Sequence, residues 1–304
     1  MPNGHCDWIK QGIIMMSSTH TPGKSLGIFA ITMINVIAID SLKTLPISAE
    51  YGLSLVFYYA LAALLFFIPI ALISAELATG WPAKGGAYVW VREAFGEHWA
   101  FLAIWMQWMY NLIWFPTILV FIVDSGLAVF FPQWLNHKPI ILSSVLVLFW
   151  GATWLNFYGM KLASSFSTVA AVLGTLIPMA FIIVLGTLWL VDGNISPVHL
   201  SWDALFPQAS QAQNIVYFTF ILFGLMGIEM SAVHADEVKQ PGHTYPRAIA
   251  LSAFIILTSL VLASLAIVIS VPKDEINVIH GLIQSFSHLL HHYQLDNLLP
   301  IVGL

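Results

Sequence analysis

The sequence predicts an all-α polytopic membrane protein of inverted-repeat design, with two of its crossings interrupted at mid-membrane. Three observations carry that prediction. First, 59% of the 304 residues are hydrophobic and 8% charged, with mean hydropathy +0.85, which excludes a water-soluble globular domain. Second, apolar runs of about 20 residues, the length that crosses a bilayer core, recur along the chain. Third, two of those runs hold ionisable groups and helix breakers: Asp40, Ser41, Lys43 and Pro46 in the first, Gly224, Gly227 and Glu229 in the sixth. A charge at the bilayer centre costs roughly 2.5–3.5 kcal/mol on insertion scales. The physical solution is a broken helix whose loose backbone groups line a polar cavity instead of facing lipid.

Spans are expected at residues 26–46, 53–79, 98–131, 139–158, 164–191, 213–235 and 247–271, about seven complete crossings. The third is long enough to require tilt or a kink, for which Pro116 is the expected place. Trp81, Trp90, Trp99, Trp134 and Trp189 fall near span ends, as interfacial belts require. Spans one and six are an odd number apart and therefore enter from opposite sides, the arrangement of two five-helix repeats meeting at a midplane site. The chain then divides into a cytoplasmic N-terminal segment (1–25), a first repeat (26–192) and an incomplete second repeat (193–304). The last holds spans six and seven, an outer amphipathic segment and, from Leu298, the start of an eighth span. Part of the cavity wall is thus expected to be missing, through truncation or because another chain supplies it.

With the N-terminus in the cytoplasm, Lys10, Lys24, Lys84, Arg92, Lys161, Lys239 and Arg247 lie inside and only Lys138 and Lys273 outside, the bias of the positive-inside rule. Residues 1–25 hold only a short apolar run at Ile13 to Met16, so the first span is expected to serve as the insertion signal. A net charge of −5 with ten Lys and Arg leaves no basic footprint for nucleic acid. Cys6 is the single cysteine, which excludes an internal disulfide framework and a cysteine-based zinc site within one chain.

The stretch Gly80-Trp81-Pro82-Ala83-Lys84-Gly85-Gly86-Ala87-Tyr88-Val89-Trp90-Val91-Arg92-Glu93-Ala94-Phe95-Gly96 resembles the loop after the second span in the amino acid, polyamine and organocation transporter superfamily. Gly227-Ile228-Glu229, Glu237-Val238-Lys239-Gln240-Pro241-Gly242 and Tyr245-Pro246-Arg247-Ala248 are similar to its sixth helix and following loop. Tyr51-Gly52-Leu53-Ser54-Leu55-Val56-Phe57 and Ala75-Glu76-Leu77-Ala78-Thr79 bring the likeness nearest to bacterial glutamate/GABA antiporters. The resemblance covers residue 26 to the end and implies a leucine-transporter-type fold in a bacterial inner membrane.

It also implies a binding site. The substrate carboxylate would meet the amides around Ile39, Asp40 and Ser41, at a half-helix end, and its ammonium the carbonyls around Phe223 and Gly224, beside Gly227. Relatives carry a Gly-Ser-Gly break where this chain has Asp40, Ser41 and Lys43. Lys43 is expected to pair with Asp40, the alternative being a bond to an acidic substrate. Phe223 matches an aromatic gate over the substrate. Tyr110, Asn111 and Trp114 fall on neighbouring positions of the third span, with Tyr110 and Trp114 four apart on one face; pocket lining and interhelical packing are both open to them. Glu229 is the proton-coupling candidate, because desolvation at that depth favours the neutral acid and lets it exchange a proton during a cycle. A structural acid that fixes the break is the alternative.

The remaining polar clusters read more plainly. Gly85-Gly86 is a tight turn, since no Gly-x-x-x-x-Gly-Lys-Ser/Thr pattern accompanies it. Glu76, Arg92, Glu93, Glu237, Lys239 and Arg247 read as interfacial charges, with an inner gate of ion pairs as the alternative. His288, His291 and His292 suit an amphipathic interfacial helix rather than a metal site, and no hydrolase motif accompanies His234. The expected function is amino acid antiport by alternating access, with a small amino acid and the lipid bilayer as partners and neither metal nor other cofactor. A homodimer or a complementary C-terminal fragment is the expected protein partner. The alternatives are a proton-coupled amino acid symporter and a non-transporting remnant or half.

Overall fold

The computed structural model describes residues 26–135, 137–157, 169, 172–198, 201–207, 213–272 and 281–302. The segment 1–25, the cations Lys161 and Lys273, and the junction of the fourth and fifth spans lie outside them. Among the described residues every regular element is helical, apart from one isolated bridge between Leu26 and Val238. In chain order they are α1 (Ile28–Ile39), α2 (Thr44–Ala49), α3 (Gly52–Gly80), α4 (Ala87–Phe95), α5 (Glu97–Phe130), α6 (Lys138–Phe157), α7 (Val172–Val191), α8 (Gln213–Gly224), α9 (Pro241–Ser270), α10 (Gly281–His292) and α11 (Leu299–Val302).

Five helices are long and apolar enough to cross a membrane, namely α3, α5, α6, α7 and α9, while α1 and α8 are shorter apolar helices. Together they account for the seven expected crossings. α5 continues as one helix through Pro116, which removes a backbone bond without ending it. Two features were not foreseen. α3 carries a π-helical turn at Ala63–Phe67 just before Pro69, and α7 carries one at Val172–Leu176 just before Pro178. In each a proline, which cannot donate to the turn behind it, follows the widened turn within two residues of its end.

The core gathers on α9, which packs against α1, α2, α3 and α7. Gly186 of α7 lies so close to α9 that an added Cβ would stand 2.5 Å from the Ala266 Cβ, the small-residue contact by which membrane helices approach closely. α1 and α9 are joined by polar contacts: Thr32 Oγ1 donates to the Ala248 carbonyl (3.3 Å), Asn35 Nδ2 to Ser252 Oγ (3.3 Å), and Asp40 meets Ser259. Residue numbers rise together along both helices, so the two run in the same direction. The chain from Gly224 to Val238 runs the other way along the first span. Gly224 faces Thr44, Gly227 faces Ala38 and Ile39, and Val238 bridges Leu26. By the order of these contacts spans one and six run antiparallel, while the isolated Leu26–Val238 bridge at their end is locally parallel.

The loop after α3 packs against the 3₁₀ segment that follows the sixth-span break. Gly86, at φ +51°, lies with its Cα against the backbone of Ala232 and Val233, where a Cβ would come within 3.1 Å of the Val233 nitrogen. Tyr245, fully buried, donates from its hydroxyl to the Ser231 carbonyl at 3.0 Å. Of the six charges nominated as interfacial, Arg92 pairs with the neighbouring Glu93 at 2.8 Å, and Glu237 lies 3.7 Å from His234. No wider network joins them among the described residues. At the other end α10 buries Leu282, Phe286, Leu289 and Leu290 and exposes His291 and His292, the amphipathic arrangement expected.

Candidate functional site

Both predicted interruptions are present. α1 ends at Asp40, whose backbone is extended (φ −66°, ψ 118°), and helix resumes only at Thr44. α8 ends at Gly224, and Gly227 adopts φ +120°, a conformation open to glycine and strained for other residues. After that break the chain resumes as a 3₁₀ helix at Met230–Glu237 rather than as α-helix. The absence of a Cβ on Gly227 admits Ile39, which would stand 3.4 Å from one, so the two breaks face each other at contact distance.

Beside the breaks lies a cavity of about 540 Å³ between the end of α1, the middle of α5 and the residues after Leu225. Tyr110, Asn111, Trp114, Gly227 and Glu229 all line it. Phe223 stands at its edge, with its ring 5.1 Å from Tyr110 and 5.7 Å from Trp114 between centroids, while Tyr110 and Trp114 stack at 6.0 Å and 15°. The Lys43 ammonium lies 5.5 Å from the Trp114 centroid, a cation–π distance. The expected Lys43–Asp40 ion pair is therefore not formed. Asp40 turns to α9 instead, where Ser259 Oγ lies 2.9 and 3.1 Å from its two carboxyl oxygens.

Ile39, Asp40, Ser41 and Gly224 belong to the facing breaks but not to the cavity lining. Ile39 packs on Gly227 and Gly224 on Thr44, while the Ser41 carbonyl accepts the Thr44 hydroxyl at 2.7 Å. Glu229, half-buried, lines a second cavity of about 280 Å³ as well, with Ile70, Ser74, Leu77 and Trp90 of α3 and α4. Glu229 and Met226 are thus shared by the linings of both cavities. Sequence reasoning missed Gln107, which lines the larger cavity and donates to the Met230 sulfur at 3.1 Å. Its signal was present: Gln107, Tyr110, Asn111 and Trp114 follow the three- and four-residue spacing of one helix face. Among the described residues no group of three or more His, Cys, Asp or Glu could hold a metal ion.

The amino acid permease family model matches residues 23–303. An uncharacterized transporter of Legionella pneumophila is 48% identical over 281 residues, which cover 92% of this chain and 60% of that protein. A glutamate/gamma-aminobutyrate antiporter of Lactococcus lactis subsp. cremoris is 31% identical over 273 residues, covering 89% of this chain and 54% of its own. A probable agmatine/putrescine antiporter of Lactococcus lactis subsp. lactis is 25% identical over 244 residues, 80% of this chain and 51% of its own. The chain thus spans between half and three-fifths of the length of these relatives.

Proposed function

The chain belongs to the amino acid permease family, a family of multi-pass membrane transporters rather than enzymes, and from that premise we propose that it serves amino acid exchange of the glutamate/GABA type. Its architecture is then one five-helix repeat followed by the first helices of an inverted second repeat, with the N-terminus in the cytoplasm of a bacterial cell, and it works by alternating access. Substrate occupies the space between the broken spans. In the occupied state its carboxylate meets backbone amides of the first break around Ser41, the Asp40 amide being held here by the Val36 carbonyl at 2.7 Å, and its ammonium meets the carbonyls of Phe223 and Gly224. Tyr110, Asn111 and Trp114 form the side wall, with Lys43 above Trp114 as a cation for an acidic side chain. Phe223 covers the occupied site, and Glu229 takes up and releases a proton as access alternates.

One observation carries this reading: the larger cavity lies beside the two interruptions, against Ala38 and Gly227, and Glu229 is the one carboxylate among the described residues of its lining. The test is exchange of radiolabelled amino acids in liposomes at a series of pH values, with the full chain and with Glu229→Gln. The substitution is expected to flatten the pH profile while leaving exchange measurable; an unchanged profile removes Glu229 from the coupling. Net uptake without internal amino acid would replace exchange by proton-coupled symport. Exchange that appears only on co-expression with a chain supplying the later helices of the relatives would identify a half that works with a partner.

A further inference from the structure

A buried donor and a carboxylate share the smaller cavity, and neither is bonded. The indole Nε1 of Trp90 is buried without a hydrogen-bond partner among the described residues. An indole N–H can only donate, and a buried donor left unsatisfied costs more than a typical hydrogen bond contributes. No ion pair among the described residues includes Glu229, and none of their hydrogen bonds reaches its carboxyl. Both groups line the cavity of about 280 Å³. Ser74 and Glu229 supply the side-chain oxygens of that lining, which is otherwise apolar apart from the indole N–H itself.

Trp90 is fixed from behind, whereas Glu229 can move. α4 starts beside Gly86, which lies against Ala232 and Val233, and the Gly85 amide donates to the Val233 carbonyl at 3.4 Å. Val89 is buried and the Trp90 ring packs on the hydrophobic core. The Glu229 carboxyl is carried on three rotatable bonds, and a change between staggered rotamers swings it without moving the backbone. Glu229 lines the larger cavity too, where it is the one carboxylate among the described residues of the lining. An acidic substrate would bring a second negative charge into that space. Like charges repel, and salt screens them weakly in a partly buried site.

We propose that Trp90 is a positioning residue for Glu229: its indole N–H, with the Ser74 hydroxyl, forms a second seat for the Glu229 carboxylate in the smaller cavity, and the move into that seat withdraws negative charge from the larger cavity when an acidic substrate fills it. Two neutral donors suit a carboxylate, because hydrogen bonds to an ionised acceptor are about twice as strong as those between neutral groups. The move is a side-chain rotation, and no covalent bond changes. Only the consequence for substrate choice rests on the carrier reading; the seat itself is argued from the donor, the carboxylate and the cavity they share.

Nuclear magnetic resonance of the full chain in lipid nanodiscs, with tryptophan indole nitrogens labelled by nitrogen-15, tests the seat directly. The Trp90 signal is identified by its loss in Trp90→Phe. Should that variant fail to fold, broadening by a spin label on a single cysteine at Lys84, in a Cys6→Ser background, identifies it instead. Glu229→Ala, which removes the acceptor, is expected to move the Trp90 indole proton upfield and to speed its exchange with solvent. In liposomes Trp90→Phe, which keeps an aromatic ring and removes the donor, is expected to raise the half-saturating concentration of acidic amino acids several-fold more than that of neutral ones. A purely structural role would move both alike. A Trp90 signal that Glu229→Ala leaves in place overturns the proposal, and so does an equal effect of Trp90→Phe on the two substrate classes. A shifted signal in a protein without amino acid exchange removes the carrier reading and leaves the seat, whereas exchange with an unshifted signal does the reverse.

Discussion

At Phe223 three aromatic rings from two elements meet, and the same ring closes one side of the cavity edge. Each such ring pair contributes about 0.5–1.5 kcal/mol beyond simple burial, so truncating Phe223 to alanine both loosens Tyr110 and Trp114 and opens the space they bound. Phe223→Ala is expected to raise the half-saturating substrate concentration about tenfold in exchange assays, the equivalent of about 1.4 kcal/mol, with Phe223→Tyr near wild type. Lys43→Gln separates charge from shape at the same wall: it should weaken acidic substrates more than neutral ones in a competition series. At this scale the sequence was informative about residue type and silent about partners. Tyr110, Asn111, Trp114 and Glu229 could be nominated because helical spacing and the cost of a buried charge are local properties. Asp40 turning to Ser259, and Lys43 to Trp114, depends on groups 219 and 71 positions away that no periodicity connects.

Helices were read most closely where hydropathy alone sets their ends. Residues 53–79, 98–131 and 139–158 match α3, α5 and α6 to within one residue at either end. α9 begins six residues earlier than the expected 247, because Pro241 starts a helix in polar sequence that hydropathy does not count. The π turns of α3 and α7 escaped notice, since a widened turn leaves no hydrophobic signature. The contact of Gly186 with Ala266 is a prediction at this level: Gly186→Leu forces α7 off α9, and overpacking of this kind costs about 1–3 kcal/mol or more. It should appear as a lower melting temperature of the detergent-solubilised protein. Gly86→Ala combines a positive-φ backbone (φ 51°, ψ −123°), a sparsely populated conformation costing on the order of 1–3 kcal/mol for a residue with a Cβ, with a clash on Val233. It should loosen the loop after α3 from the 3₁₀ segment, seen as faster proteolysis between residues 80 and 86.

Across the molecule, the antiparallel contact of spans one and six and the parallel contact of spans one and seven fix the relative directions of three crossings. The orientation proposed from the excess of cations on one side has a direct test: single cysteines placed at Lys84 and at Lys138, in a Cys6→Ser background, should react with an impermeant thiol reagent from the inner and outer side respectively. The first span's polar partners have a further consequence, for synthesis. Thr32, Asn35 and Asp40 bond with groups 216 to 219 residues later in the chain. At about 5–20 residues per second a ribosome needs roughly 10–40 seconds to cover that distance. Throughout that interval the nascent first crossing has an amide and an acid but not the helix with which they bond. It must wait beside the translocon or a lipid-embedded chaperone, and a nascent chain arrested before Ser252 should remain there, extractable and open to degradation, until the seventh crossing arrives.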